Sequence, residues 1–312
     1  MPVSIVPAGD APLRGPALTF LYHRLPRGER ERQMAQTLVA VSRQELSLEN
    51  LLVAIDGDRI VGAVLAVRRP GGAAFLWPPI VQQDESAQPL ARALLEAVGR
   101  RVDEQGIVFT QCLLDPADEW GQSALAQGGV PRITDLILLS RPLPGNEPAV
   151  GTAEMTSECY SEESHMDFAR IVERTYIGTL DCPALAQMRS GEQLLEAHRA
   201  TGQFHPQFCC IYRTSGRDVG ILLLAEHSDR DVWEVAYMGV VPEARGRGFG
   251  RAILAGGIEL VRRSGRRTME IAVDMANTPA LRLYETLGFS EIRRYAVHLR
   301  FRQPANSGKP AE

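Results

Sequence analysis

The sequence predicts an α/β fold in two tandem domains, each a mixed, mostly antiparallel central sheet flanked by helices. Three observations carry this reading. Short apolar runs of strand length alternate with amphipathic runs of helical period along most of the chain. The order of those runs in residues 51–139 resembles their order in residues 170–289. Between them lies a Pro/Gly run, Pro142-Leu143-Pro144-Gly145-Asn146-Glu147-Pro148, with the composition of a linker. The expected domains are therefore 1–145 and 150–312.

In the first half, residues 51–55 and 60–67 read as a hairpin across Asp56-Gly57-Asp58, with Asp-Gly at the turn. Residues 73–81 form the next strand. Leu90, Ala93, Leu94, Ala97 and Val98 then recur at helical spacing and predict a helix over 89–102. A strand at 108–114, a short helix at 120–126 and a strand at 133–139 complete the half. In the second half, helices are expected at 170–176 and 191–200. A hairpin follows at 208–212 and 219–225, turning at Thr214-Ser215-Gly216-Arg217, and then a strand from Val232. The run from Gly248 carries Ile253, Leu254, Ile258 and Val261 on one helical face and stops at Ser264-Gly265. A strand at 268–273 precedes a helix at 280–287, opened by Asn277 and Pro279 and closed by Gly288.

Composition narrows the functional classes. The chain has 312 residues, 45% of them hydrophobic, and a formal net charge of −4. That balance offers no global basic field to nucleic acid or an anionic membrane. No apolar run reaches the roughly 20 residues that span a bilayer, and the first ten residues lack the apolar core of a signal peptide. A cytoplasmic location is the expectation. The five cysteines contain no C-x-x-C pair, and the six histidines show no metal-ligand spacing, so neither a disulfide framework nor a metal site is expected.

The densest chemical signal is Val240-Val241-Pro242-Glu243-Ala244-Arg245-Gly246-Arg247-Gly248-Phe249-Gly250-Arg251, at a strand-to-helix junction. A helix start presents unpaired amides and partial positive charge, and glycines let a bulky anion reach that backbone. The dinucleotide fingerprint G-x-G-x-x-G fails because Arg251 stands where the third glycine belongs, and the P-loop tripeptide is absent. What remains is R-x-x-G-x-G, from Arg245 to Gly250. It resembles the pyrophosphate loop of the GCN5-related N-acetyltransferase (GNAT) family. Downstream, Asn277, Ala280, Leu283-Tyr284-Glu285 and Leu287-Gly288-Phe289 resemble the family's second motif, at the separation a strand–helix–strand–helix unit requires. The resemblance covers residues 205–300, and the order of elements extends it to a tandem GNAT architecture.

The resemblance implies acetyl-CoA as co-substrate, direct transfer of its acetyl group in a ternary complex, and a primary amine of a small molecule or peptide as acceptor. It implies that Met238, Gly239 and Val240 pair with the pantetheine arm through their backbones. Arg245, Gly246, Arg247, Gly248, Phe249, Gly250 and Arg251 then surround the pyrophosphate. Tyr284 falls where the family protonates the departing thiolate; the alternative is a tyrosine that packs. Asn277 either contacts the pantetheine arm or caps its helix. Glu234 is the candidate base, acting directly or through a water, unless it faces solvent. Strand alternation groups it with Ala236, Met238 and Val240. Asp181, in the loop after the first helix of this half, is either an amine contact or a turn former. The corresponding segment of the first half, residues 82–89, has no glycine, no arginine and two carboxylates, so coenzyme binding is expected in the second half alone. A non-catalytic acyl-CoA sensor is the competing function.

Overall fold

The computed structural model describes residues 3–10, 12–144, 155–186 and 188–303. Linker residues 145–148 lie outside the described residues. The chain forms two compact units, Met1–Ile133 with Ala296–Glu312, and Thr134–Tyr295.

Ten elements follow one another in the first half of the chain: β1 (Ser4–Pro7), α1 (Arg14–Leu21), α2 (Arg27–Ser42), β2 (Leu51–Asp56), β3 (Arg59–Arg69), β4 (Ala73–Val81), α3 (Ala87–Glu104), β5 (Phe109–Leu114), α4 (Glu119–Gln127) and β6 (Arg132–Pro142). The same order of strands and α-helices then repeats. It runs β7 (Thr156–Cys159), α5 (His165–Tyr176), α6 (Gly191–Arg199), β8 (Gln203–Thr214), β9 (Arg217–His227), β10 (Val232–Val240), α7 (Phe249–Arg263), β11 (Thr268–Asp274), α8 (Thr278–Thr286) and β12 (Ser290–Phe301). The internal repeat is thus complete at the level of elements; the helix pair of the second half matches the helices expected there, whereas the helix pair of the first half and the opening strand of both halves were not expected from sequence. Thr37 is the one buried residue of α2, so that helix carries no apolar stripe to read. All four residues of β7 are exposed.

The last strand of each repeat is exchanged. β6 lies antiparallel to β11, from Thr268↔Pro142 to Asp274↔Leu136. The C-terminal part of β12 lies antiparallel to β5, from Ala296↔Leu114 to Phe301↔Phe109. Strand order is therefore β1-β2-β3-β4-β5-β12 in the first unit and β6-β11-β10-β9-β8-β7 in the second. Consequently residues 134–144 belong to the second unit although they precede the linker, and the chain from Ala296 onward belongs to the first. The Pro/Gly run marks a change of element order, whereas ladder hydrogen bonding decides which strand completes which sheet.

The second unit has its own core. Phe168, Ile171 and Val172 of α5, Ile221 to Leu224 of β9 and Ile253, Leu254, Ile258 and Val261 of α7 pack into one buried cluster. Two irregularities of β10 shape what lies beside it. First, β10 and β11 run parallel and pair only from Trp233↔Met269 to Val235↔Ile271, although β10 continues to Val240. Second, Val235 faces Leu224 while Tyr237 faces Leu223, so Ala236 is an extra residue in β10, a bulge. The strands part at that bulge.

The close packing of α5 against β10 depends on Gly239. A Cβ built there would stand 2.5 Å from Thr175 Cβ and 2.9 Å from the Tyr237 hydroxyl. Gly239→Ala is therefore an overpacking substitution with an expected cost of about 2–3 kcal/mol. The melting temperature of the second unit should fall by roughly 5–10 °C. An unchanged melting temperature in calorimetry would show that the helix yields freely.

Candidate active site

A cavity of about 530 Å³ occupies the opening between β10 and β11. Its walls are the diverging strands, the loop after α5, the Arg245–Gly250 loop and one side of α8. Met238, Gly239, Val240, Arg245, Gly246, Gly248, Phe249, Gly250, Asn277 and Tyr284 all line it. The structure therefore brings ten of the residues expected from sequence into one wall.

Backbone polarity of the opening follows from pairing. Val241 N–H donates to Val219 O of β9 at 3.1 Å. Alternation then turns the Gly239 amide toward β9 and the Met238 and Val240 amides toward the opening, where no strand meets them. Beyond Val240, Gly246 and Gly248 hold φ of +72° and +83°, with nothing within 4 Å of a Cβ at either position. Gly248 is the N-cap of α7 and no side chain caps that helix. The amides of its first turn face the cavity mouth with their partial positive charge uncompensated.

The arginines divide into different roles. Arg245 spans three backbone carbonyls: Nε donates to Val240 O at 3.0 Å, NH1 to Gly178 O at 3.1 Å and NH2 to Thr175 O at 2.8 Å. Its charge sits against the C-terminus of α5 and ties that helix to the end of β10, so the side chain shapes the loop. Arg247 lies over the Phe249 ring at 5.2 Å, and Arg251 NH1 approaches Thr286 Oγ1 at 3.4 Å. Neither is part of the cavity wall.

Tyr284 is 6% exposed, and among the described residues its hydroxyl has no hydrogen-bond partner. Burial, and then the charge of Asp181, hold its pKa well above the usual tyrosine value, so the proton stays on. Asn277 Oδ1 accepts from Ala280 N–H at 3.3 Å and caps α8, which begins at Thr278.

Glu234 is placed differently from the simple alternation. The bulge at Ala236 reverses parity, so Glu234 shares a face with Tyr237 and Gly239 rather than with Met238 and Val240. Its Oε2 lies 2.7 Å from His227 Nε2 and 3.8 Å from Arg230 NH2, and the cavity wall does not include it. The carboxylate in the wall is Asp181. Asp181 Oδ1 accepts Asp274 N–H at 2.9 Å, and Asp274 Oδ2 in turn accepts Cys182 N–H at 3.0 Å, which pins the loop after α5 to the end of β11. Partial enclosure and the neighbouring Asp274 carboxylate hold Asp181 above the ordinary aspartate range.

An aromatic group missed from the sequence closes one end. Tyr237 hydrogen-bonds Thr175 Oγ1 at 2.8 Å and stacks with both Tyr176, centroids 5.3 Å apart, and His198, 4.4 Å apart, the three rings forming one cluster. Tyr176 OH lies 3.1 Å from His198 Nε2. These residues come from α5, α6 and β10 with no shared spacing, so no local pattern could announce them. Enclosure, and then the Arg189 charge, depress the His198 pKa from 6.5 to about 3, partly offset by a hydrogen bond with the Ala236 backbone. A histidine depressed in the folded state stabilises it above pH 6.5 and loses that contribution as pH falls toward 3. Melting temperatures should therefore decline over that window, and more steeply in the wild type than in His198→Phe. Equal slopes would dissociate His198 from the acid sensitivity.

In the first unit the equivalent junction is filled from within. Asp84 Oδ1 accepts both the Ser86 amide (2.8 Å) and the Ser86 hydroxyl (2.5 Å) at the start of α3, which lowers the Asp84 pKa. A carboxylate thus takes the place that glycine leaves open before α7. Among the described residues no cluster of three or more His, Cys, Asp or Glu could hold a metal ion, and no helix is long and apolar enough to cross a membrane.

A sheet opened at a bulge, with free strand amides leading to an uncapped glycine-rich helix start, defines an acyl-coenzyme A transferase fold. The chain belongs to the GCN5-related N-acetyltransferase family and is an acetyl-CoA-dependent N-acetyltransferase of the tandem kind. Residues 177–289 match the family described as Acetyltransferase (GNAT) family. The mycothiol acetyltransferase of Thermomonospora curvata is 31% identical over 259 residues, covering 81% of this chain and 82% of the relative. That of Clavibacter sepedonicus is 26% identical over 80% of this chain and 78% of its own. Among solved structures, a GCN5-related N-acetyltransferase from Sphaerobacter thermophilus superposes with a TM-score of 0.65 at 19% identity, over 97% of this chain and 96% of that one. A tandem GNAT protein from the clavulanic acid biosynthesis pathway gives 0.52 at 16% identity, over 98% and 100%.

Proposed function

We propose that the second unit binds acetyl-CoA along β10 and transfers its acetyl group to the primary amine of a small molecule by direct attack. The observation that carries this is continuity: the free edge of β10, the uncapped start of α7 and the Tyr284 hydroxyl all open into one cavity. In this reading the pyrophosphate sits on the amides around Gly246 to Gly250, and the pantetheine arm completes the ladder that β11 leaves unmade. The Met238 or Val240 amide donates to the oxyanion of the tetrahedral intermediate. The C–S bond then breaks, and Tyr284 delivers its proton to the departing sulfur.

An amine arrives at neutral pH as an ammonium ion. Asp181, in the cavity wall, is the nearest carboxylate to attract it, while Glu234 would take the proton only through water from beyond the wall. The curated relatives carry the name mycothiol acetyltransferase, so the desacetyl form of mycothiol is the acceptor we would place first in an amine panel. Calorimetric titration with acetyl-CoA tests the site: one equivalent should bind. No binding would sink the proposal, and two equivalents would mean that the first unit binds coenzyme despite Asp84. Turnover of any amine in the panel, dependent on Tyr284, separates an enzyme from a coenzyme sensor.

A further inference from the structure

We infer that Cys159 and Cys210 form an oxidant-reactive thiol pair, a modification site on the edge of the second unit in which peroxide drives formation of a cross-strand disulfide. The two residues are register partners in the antiparallel β7–β8 ladder, and their sulfurs stand 2.9 Å apart. The ladder geometry favours a bond. Tyr160 N–H donates to Cys209 O at 2.8 Å, so Tyr160 and Cys209 are a hydrogen-bonded pair. Cys159 and Cys210, one position along, are therefore the closely spaced pair without mutual backbone hydrogen bonds, with Cα atoms about 4.5 Å apart. That separation lies inside the range a disulfide bridges. Directly opposed side chains also share a face, so neither strand has to turn for the sulfurs to meet.

The two thiols are unequal in a useful way. Cys159 is exposed, whereas Cys210 is 2% exposed. Burial, and then the adjacent Cys159, push the Cys210 thiol upward in pKa. Cys159 therefore meets a peroxide first. Its sulfur displaces one oxygen as water and becomes a sulfenic acid; the Cys210 sulfur then attacks that sulfur and expels a second water. Two thiols lose two electrons and two protons, and one peroxide is reduced to two waters. Cys209 points into the core, its sulfur 3.7 Å from Leu224 O, and takes no part.

The linkage has something to hold. β7 is a four-residue edge strand with every residue exposed, joined to β8 through its ladder and the Glu158–Arg213 ion pair. The residue after it, Tyr160, accepts a hydrogen bond from Arg199 NH1 at 2.7 Å, and Arg199 ends α6, next to His198 in the cavity group. A covalent bond closing a loop of 51 positions restricts the unfolded chain as well as the edge.

The test treats the full-length protein with a small excess of hydrogen peroxide and follows mass, peptide linkage and melting. Wild type should lose 2 Da with Cys159 joined to Cys210, and its second-unit melting temperature should rise by about 5 °C or more, reversed by a thiol reductant. Cys159→Ser, at an exposed site that tolerates the change, should show neither effect, while Cys209→Ser should retain both. Oxidation of Cys159 that stops at sulfinic acid, linkage to another cysteine, or unchanged mass would each overturn the inference.

Discussion

Tyr284→Phe should lower kcat by about 10²–10³-fold while changing acetyl-CoA affinity by less than about threefold, the signature of a lost proton donor. The barrier would rise by roughly 3–4 kcal/mol. Two structural facts support so specific a result. The phenol is buried in the cavity wall, and its hydroxyl has no partner among the described residues, so removing the oxygen leaves no orphaned group behind. Its pKa is also raised, chiefly by burial, so the donor stays protonated throughout the range where an amine becomes a nucleophile. The melting temperature of the variant should match the wild type. If kcat is unchanged, Tyr284 merely packs against Phe289 and the thiolate leaves without its help.

The second large effect is on binding. Gly248→Glu should weaken acetyl-CoA by about 10²-fold or more, because it adds a negative charge at the helix start and forces a side chain to φ +83°. The strain alone costs about 1–2 kcal/mol, a shift of a few degrees in melting. Gly250→Ala is the control within the same motif. A Cβ there would meet Leu283 Cδ2 at 3.4 Å and Val240 Cγ2 at 3.7 Å, ordinary contacts, and the residue lies inside α7. It should bind normally and melt no lower. Equal loss in both variants would mean that steric bulk near the loop, rather than charge and backbone conformation at Gly248, governs coenzyme binding.

These contrasts show what sequence could and could not convey. The Arg245–Gly250 run and Asn277 were legible because local backbone demands fix them, positive φ at two glycines and a cap at a helix start, whereas Tyr284 was legible only through the resemblance of its motif to the family. Arg245 was legible as a position but not as a role, since its three acceptors lie on α5 and at the end of β10. Glu234 shows a different limit. Period-2 alternation assigns its face only if the strand is regular, and a single extra residue at Ala236 moves it to the other side. Nothing in the letters Val235-Ala236-Tyr237 announces that bulge. The group around His198 and Tyr237 is tertiary in origin, and so is the requirement for glycine at 239, set by Thr175 of α5.

The exchanged final strands have a consequence for how the protein is made. A ribosome releases β5 long before the residues of β12 that pair with it, Ala296 to Phe301. Between those events most of the chain is synthesised, at about 5–20 residues per second. The first unit therefore waits, with that edge of β5 unpaired, until Ala296 to Phe301 have emerged. The second unit carries β6 from early in synthesis and meets β11 late. Both sheets close at nearly the same moment, so this chain should fold in one concerted event once residues 268–301 have emerged, rather than by domain-by-domain assembly. A gene cut at the linker would yield two fragments, each holding the other's closing strand.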